Sequence, residues 1–339
     1  MALKVAINGF GRVGRAAFRV AHGNKGLNIV AINDTTDTET HAHLLKYDSV
    51  YGKAPFSVSF NENEIVVDGV PCKVFTEKDP AKLPWKELGI DIVLECTGRF
   101  TRDDAAKAHL AAGAKRVVVS APTKGGDTKT YLLGVNDETY SGDAIVSNAS
   151  CTTNCVAPVT TVIEDVFGIK KAVITTVHSY TAEQNLVDGS TPPLHKDLRR
   201  ARAAAINIIP TTTGAAVSTT EVIPELKGKF DGLALRVPLP VGSLTDFTFL
   251  LNRPTTKEEV NEAFRKAAEQ ERWKGILAVT DEALVSSNIV GNSHSAIVDL
   301  GLTMVVDGDL LKVIAWYDNE WGYVNRLVEM AELVGKTIR

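Results

Sequence analysis

The chain has 339 residues, 44% hydrophobic and 23% charged, an ordinary globular composition with enough length for two domains. A net charge of −4 and a sequence pI near 6.0 give no electrostatic case for dedicated nucleic-acid binding. No apolar run approaches the ~20 residues that span a bilayer, so no membrane partner is expected. The chain enters a strand-like run at Leu3, so no signal or transit peptide is expected. Its four cysteines, Cys72, Cys96, Cys151 and Cys155, form no CxxC pair and no Cys/His metal spacing. That pattern points to a reduced, cytoplasmic chain with no metal site, and to Cys72 and Cys96 as inert core thiols.

In chain order, residues 3–8 read as a short buried strand, followed at once by Gly9-Phe10-Gly11-Arg12-Val13-Gly14. A helix to about His22 and a strand over 27–32 complete one βαβ unit, with Asp34 twenty residues after Gly14. Residues 58–75 alternate like hairpins, with turns at 61–63 and 68–69. A parallel pattern then resumes: strand 91–96, amphipathic helix 102–112, strand 116–120. A helix from Cys151 to about Phe167 leads into strand 172–177 and a long polar stretch, 179–201. Residues 232–251, 285–290, 296–306 and 310–317 read as strands, with a helix over 257–271 and a last helix over 320–334. The expected fold is therefore α/β, a parallel half followed by a largely antiparallel sheet with helices on one side.

The glycine run alone would be weak evidence. Following a strand, opening a helix and trailed by Asp34, it predicts a dinucleotide site in which pyrophosphate approaches a helix N-terminus. Asp34 can accept both hydroxyls of an adenosine ribose, which favours NAD over a 2′-phosphorylated cofactor. Thr97, Gly98 and Ser120 stand at carboxyl ends of strands, where ligands of such sheets sit.

Cys151 follows the turn-like run Ser147-Asn148-Ala149-Ser150 and opens a helix. Free amides and the helix dipole there should lower its thiol pKa and favour the attacking thiolate. Ser150, Thr152 and Thr153 add hydroxyls. His178 ends a strand 27 residues on and is the candidate partner of the thiol. Cys155, one helical turn further, is expected to be packed. Thr181, His195, Lys196, Arg199, Arg200, Arg202, the run Thr211-Thr212-Thr213-Gly214 and Arg236 supply the hydroxyls, cations and amides that hold phosphate, or else form a solvated basic loop.

Ala6-Ile7-Asn8-Gly9-Phe10-Gly11-Arg12, Ser150-Cys151-Thr152-Thr153-Asn154-Cys155, Thr213-Gly214-Ala215-Ala216 and Trp316-Tyr317-Asp318-Asn319-Glu320-Trp321-Gly322-Tyr323 together resemble phosphorylating glyceraldehyde-3-phosphate dehydrogenase, of the bacterial and plastid type, along essentially the whole chain. The resemblance implies a Rossmann NAD(P)-binding domain over 1–150, completed by the C-terminal helix 319–339. It implies an α+β catalytic and tetramerisation domain over 151–318, with a mostly antiparallel sheet.

It also implies a homotetramer, with 179–202 as the family's S-loop at the subunit core. Glyceraldehyde 3-phosphate and inorganic phosphate would be the substrates. Cys151 would be the nucleophile and His178 its partner. Thr181 and Arg236 would hold the substrate phosphate with Arg199 nearby, and Ser150, Thr152, Thr213 and Gly214 the attacking phosphate. Gly9, Phe10, Gly11, Arg12, Val13, Asp34, Lys78, Thr97, Ser120 and Asn319 would line the cofactor site, with Asn319 on the nicotinamide amide and Tyr323 behind it.

Where strongly NAD-specific members carry a Leu-Pro pair, this chain reads Asp188-Gly189-Ser190, followed by the extra residues Thr191, Pro192, Pro193 and Leu194. With Thr35 after Asp34, that departure makes NADP a second cofactor to consider. Within the resemblance the nearest alternative is erythrose-4-phosphate dehydrogenase, which makes an acid rather than an acyl phosphate. A non-catalytic binding protein of the same fold is the alternative of a different class.

Overall fold

The computed structural model describes residues 2–191 and 197–338. Pro192, Pro193, Leu194, His195 and Lys196 lie outside the described residues, and with them most of the extra S-loop segment. The chain divides into two compact units, residues 1–150 with 324–339, and residues 151–323.

The first unit is built on a nine-stranded sheet. The Leu3–Asn8 strand lies at its centre, parallel to Leu27–Asn33 on one side and Ile92–Glu95 on the other. The chain order reverses at this strand, and the reversal opens a crevice at the strands' carboxyl ends. These strands are buried on both faces, so they read as apolar runs without alternation. The Arg116–Val119 strand extends the sheet in parallel on one side. On the other, Val70–Phe75 pairs in parallel with Leu27–Asn33 and carries the Val58–Phe60 and Glu64–Val67 strands as an antiparallel edge.

The second unit centres on a mostly antiparallel eight-stranded sheet. Its Ile169–Ser179 strand runs parallel to Phe230–Val237 and antiparallel to Ser243–Leu251. The Cys151–Phe167 helix packs on one face, and most of its side chains are buried. Ser243–Leu251 alternates strictly between buried and half-buried positions, as expected where one sheet face is covered and the other less so.

Several expectations are corrected. The helix expected over 102–112 is confined to Lys107–Ala111, because Asp103 and Asp104 take left-handed backbone angles (φ 48° and 55°). Asp104 there accepts hydrogen bonds from the Asp127 and Thr128 amides, tying the segment into a loop. Residues 285–290 form a 3₁₀ turn (Ser286–Ile289), in which Asn288 Oδ1 accepts the Val285 amide, and the strand lies earlier, at Leu277–Thr280. The run 232–251 is two separate strands, Phe230–Val237 and Ser243–Leu251, on either side of Ile169–Ser179 in the sheet, with Gly242 at φ 97° in the connection between them. The helices Thr38–Lys46 and Ala215–Val222 went unread in the sequence, the second because its threonines and valines are weak helix formers.

Candidate active site

In the first unit, the turn after Leu3–Asn8 lines a cavity of about 200 Å³ with Asn8, Gly9, Gly11, Asn33, Asp34, Thr35, Lys78 and Thr97 among its walls. Gly9 sits at φ 93°, and a Cβ there would stand 2.6 Å from the Thr97 amide nitrogen, so only glycine fits. Above Gly11, by contrast, the space is open. A dinucleotide fits this donor set: a helix N-terminus facing open space, with a carboxylate at the next strand end.

Asp34 Oδ2 accepts the Phe10 amide at 2.7 Å, which fixes the turn against the second strand. Phe10 contributes this amide, while its ring is fully buried. Arg12 pairs with Asp48 at 2.5 Å, and Val13 lies in the first turn of the Arg12–Ala21 helix. Ser120 follows the Arg116–Val119 strand, and its amide donates to the Glu95 carbonyl at 2.9 Å. Cys96 is a correction: it lines the cavity rather than the core, although burial of its sulfur pushes the thiol up to about 12. Cys72 is buried as expected.

A polar network that sequence reasoning missed stands behind the turn. Glu95 is fully buried and accepts from Asn8 Nδ2 at 2.6 Å, from the Thr97 amide at 2.8 Å and from His109 Nε2 at 2.9 Å. Trp85 Nε1 can only donate, so His109 Nδ1 must accept its 3.0 Å bond and the ring proton sits on Nε2. Asn33 Nδ2 in turn donates to Asn8 Oδ1 at 2.7 Å. The signal was faint but present: two asparagines and a glutamate ending three apolar strands.

In the second unit, Cys151 opens the Cys151–Phe167 helix and is half-buried. His178 Nε2 lies 3.4 Å from its Sγ. His178 Nδ1 is 2.7 Å from the Ser179 carbonyl oxygen, an acceptor only, so Nδ1 carries the proton. Nε2 is thereby left with its lone pair facing the sulfur, as a base placed to accept the thiol proton. Cys155 is buried, as expected.

The expectation of a lowered thiol pKa is corrected for the ligand-free chain. Burial pushes the Cys151 thiol up, outweighing the hydrogen bond from Thr152 and the nearby Arg236 charge, which pull it down. Burial, reinforced by Arg236, pushes the His178 imidazole down to about 4. The resting pair is a neutral thiol beside a neutral imidazole.

This carries a prediction. Between pH 6.5 and about 4 the unfolded chain binds a proton at this imidazole that the folded chain refuses. Stability should therefore fall with falling pH across that window, by up to about 3 kcal/mol from this group. Urea midpoints of wild type and His178→Asn, compared down the pH scale, check it. The wild type should lose ground to the variant as the medium acidifies, and a constant difference contradicts the assignment.

Parallel pairing sets Arg236 directly beside His178 on the neighbouring strand. Arg236 is buried; its Nη1 donates to Thr181 Oγ1 at 2.6 Å and its Nη2 to Glu183 Oε1 at 3.2 Å. Arg200 also reaches Glu183, at 3.0 Å. Arg199 is not brought into this cluster: its exposed guanidinium pairs with Asp197 at 3.3 Å. Arg202 likewise turns outward, to Asp188.

Thr152 Oγ1 lies 3.0 Å from the Tyr317 hydroxyl, which in turn lies 2.8 Å from Thr176 Oγ1. The Tyr317 ring meets the His178 ring edge-on at 6.1 Å. Tyr317, Thr176 and Glu183 are site residues the sequence reading missed; Tyr317 sat inside the 316–323 segment without an assigned place. Thr213 and Gly214 lie at the start of the Ala215–Val222 helix, where Thr213 Oγ1 accepts the Ala215 amide at 3.1 Å, and that helix packs on Cys151–Phe167. Ser150 directly precedes Cys151, after Ala149 at a left-handed φ of 50°.

Asn319 Oδ1 accepts from Ser179 Oγ (2.9 Å), the Gly242 amide (3.0 Å) and Ser243 Oγ (3.1 Å). Its amide orientation is thus fixed. Tyr323 is buried in the Trp321–Gly335 helix. Among the described residues no cluster of histidine, cysteine, aspartate and glutamate could hold a metal, and no helix is long and apolar enough to cross a membrane.

A dinucleotide-binding α/β unit joined in one chain to an α+β unit bearing a cysteine–histidine pair and a buried arginine supplies the parts that a nicotinamide-linked dehydrogenase with a thiol nucleophile requires. Comparison with known proteins makes this specific. Residues 3–103 match the family model described as glyceraldehyde 3-phosphate dehydrogenase, NAD binding domain, and residues 150–319 match the C-terminal domain model of the same enzyme. Glyceraldehyde-3-phosphate dehydrogenases of Streptomyces coelicolor and Mycobacterium tuberculosis are each 52% identical to this chain over the full length of both. That of Geobacillus stearothermophilus is 53% identical over 98% of each chain. The chain belongs to the glyceraldehyde-3-phosphate dehydrogenase family, and it is an NAD-dependent oxidoreductase acting on an aldehyde group.

Proposed function

We propose that this chain oxidises D-glyceraldehyde 3-phosphate with inorganic phosphate and NAD to 1,3-bisphosphoglycerate, reversibly, through a thioester on Cys151. The observation that carries this reading is the 3.4 Å approach of the His178 acceptor nitrogen to the Cys151 sulfur. His178 takes the thiol proton as sulfur bonds to the aldehyde carbon, and returns it to the carbonyl oxygen to give a hemithioacetal. The Cys151 amide at the helix start and the imidazole stabilise the oxyanion that develops on the way. His178 then removes the hydroxyl proton as the carbon is oxidised, a base contribution of roughly 10²–10⁴. NAD, when bound, supplies the hydride acceptor for that step.

Phosphate oxygen attacks the resulting acyl carbon, the carbon–sulfur bond breaks, and the thiol is restored. In this reading Ser150, Thr152, Thr213 and Gly214 hold the attacking phosphate, which lets it outcompete water. Thr181 and Arg236 hold the substrate's own phosphate, supported by the Thr181–Arg236 hydrogen bond. Gly9, Phe10, Gly11, Arg12, Val13, Asp34, Lys78, Thr97 and Ser120 hold the cofactor, and Asn319 and Tyr323 serve its nicotinamide end.

A homotetramer in the cytoplasm belongs to the same reading. In support of the tetramer, Leu186, Val187, Leu198, Ile206 and Ile208, all within one stretch of the chain, are 68% to 87% exposed. NADP is proposed as a second cofactor. Assays with each cofactor, with and without phosphate, test the whole reading. Turnover should require phosphate, and phosphate-independent acid formation would instead indicate the erythrose-4-phosphate type of reaction. An NAD preference above about a hundredfold (~2.7 kcal/mol) would remove NADP.

A further inference from the structure

His41 lies in the Thr38–Lys46 helix, 2% exposed, and neither of its ring nitrogens has a hydrogen-bond partner. A buried imidazole without partners gives up the hydrogen bonds it would make in water, a cost to stability at both ring nitrogens. Its position is nevertheless specific. The ring packs edge-on against Phe10 with centroids 5.4 Å apart, and Phe10 is the residue whose amide donates to Asp34. Its Nε2 faces Asp34 Oδ1 at 3.8 Å, just outside hydrogen-bonding distance, on the protein side of the cavity that Asp34 lines.

We propose that His41 is a specificity-determining positioning residue for the adenosine end of the cofactor: a 2′-phosphate placed beside Asp34 draws a proton onto His41, whose imidazolium then pairs with the carboxylate. A movement of roughly 1 Å would bring Nε2 to an ordinary hydrogen-bond length from Oδ1. The proton comes from solvent, and no bond other than N–H is made or broken. The carboxylate that repels a 2′-phosphate is thereby neutralised by a partner already in place behind it. The inference rests on Asp34 being the ribose-reading carboxylate.

The charged groups that face His41 are Asp34 at the end of the Leu27–Asn33 strand, Arg15 of the Arg12–Ala21 helix and Asp37 at its own helix N-cap. Burial holds the imidazole below the usual histidine range, and Arg15 adds to this, while Asp34 and Asp37 pull the other way. At neutral pH the ring is therefore uncharged without a ligand and able to gain a proton when more negative charge arrives. With NAD no such charge arrives, and Asp34 keeps its full repulsion toward a 2′-phosphate.

Calorimetric titration of the whole enzyme with NADP⁺ and with NAD⁺, in buffers of differing ionisation enthalpy near pH 7, reads the proton directly. Wild type should take up more protons with NADP⁺ than either His41→Leu or His41→Gln does. The cofactor's own 2′-phosphate also titrates near neutral pH, and beside an Asp34 without its imidazolium partner it would bind more protons in the variants, so a wild-type excess can come only from His41. The NADP/NAD ratio of kcat/KM should fall by about fivefold in both variants, a coupling at the low end of the usual range. Leucine suits a buried helical position, and glutamine keeps a polar side chain that cannot be protonated, so a folding defect in one leaves the other to decide.

Equal proton uptake in all three chains overturns the proposal, as does absence of measurable NADP⁺ binding to wild type. Asp34→Ala separates the two layers. If that variant leaves the cofactor ratio unchanged, the reading of Asp34 itself fails. If it changes the ratio while the His41 variants do not, only the role of His41 fails.

Discussion

Cys151→Ser is expected to lower kcat by roughly 10⁴-fold or more while NAD still binds. The hydroxyl is a far weaker nucleophile than the sulfur, and its proton is held far more tightly. His178 sits 3.4 Å from the reacting atom and would remain a neutral base in the variant, so the loss isolates the nucleophile. The turn at Gly9–Gly11 and the carboxylate of Asp34 lie in the first unit, and their geometry depends on Thr97 and Phe10, not on the thiol. A fluorescence titration with NAD, run beside steady-state kinetics, checks both halves. Activity above about one part in a hundred of wild type would contradict the assignment of Cys151 as nucleophile.

His178→Asn is expected to slow turnover by roughly 10²–10⁴-fold, the usual worth of a positioned base. Asparagine can still donate a hydrogen bond to a developing oxyanion, but it can accept no proton. Alkylation of Cys151 by iodoacetamide near neutral pH should slow as well, because the resting thiol is pushed up by burial and depends on the imidazole to take its proton. The pH profile gives an independent reading. Because burial and Arg236 hold the wild-type imidazole at about 4, it remains a base well below the ordinary histidine range. Activity on the acid side should therefore show no limb from His178 near pH 6.5, and such a limb, lost in the variant, would contradict the assigned environment. An unchanged alkylation rate would break the pairing itself.

What the sequence made legible follows from how local each feature is. The strand, glycine turn, helix and second strand at 3–34 form within one short stretch, and each residue's requirement shows in its type. Cys151 at a helix start and His178 at a strand end were readable for the same reason. The neighbours that tune them were not. Arg236 becomes the companion of His178 only through parallel pairing of strands far apart in sequence, and Tyr317 reaches Thr152 from farther still. The direction of the thiol's pKa was misread because the helix start is visible in sequence, whereas the packing that desolvates the sulfur is not.

The same limit explains the Glu95–His109–Trp85 network, whose members look like unrelated polar exceptions until the sheet assembles them. It also explains the arginines of the 197–202 stretch. Composition shows a basic loop but not which guanidinium turns inward, and Arg200, rather than Arg199, meets Glu183. Short mixed runs such as 285–290 fit a strand or a turn equally well, and a capping hydrogen bond to Asn288 decided that one.

Mass spectrometry of enzyme mixed with glyceraldehyde 3-phosphate and NAD in phosphate-free buffer tests the central claim most directly. A phosphoglyceroyl adduct confined to the peptide carrying Cys151, discharged when inorganic phosphate is added, is the predicted result. An enzyme that turns over without such an adduct, or an adduct on another residue, would contradict the thioester mechanism.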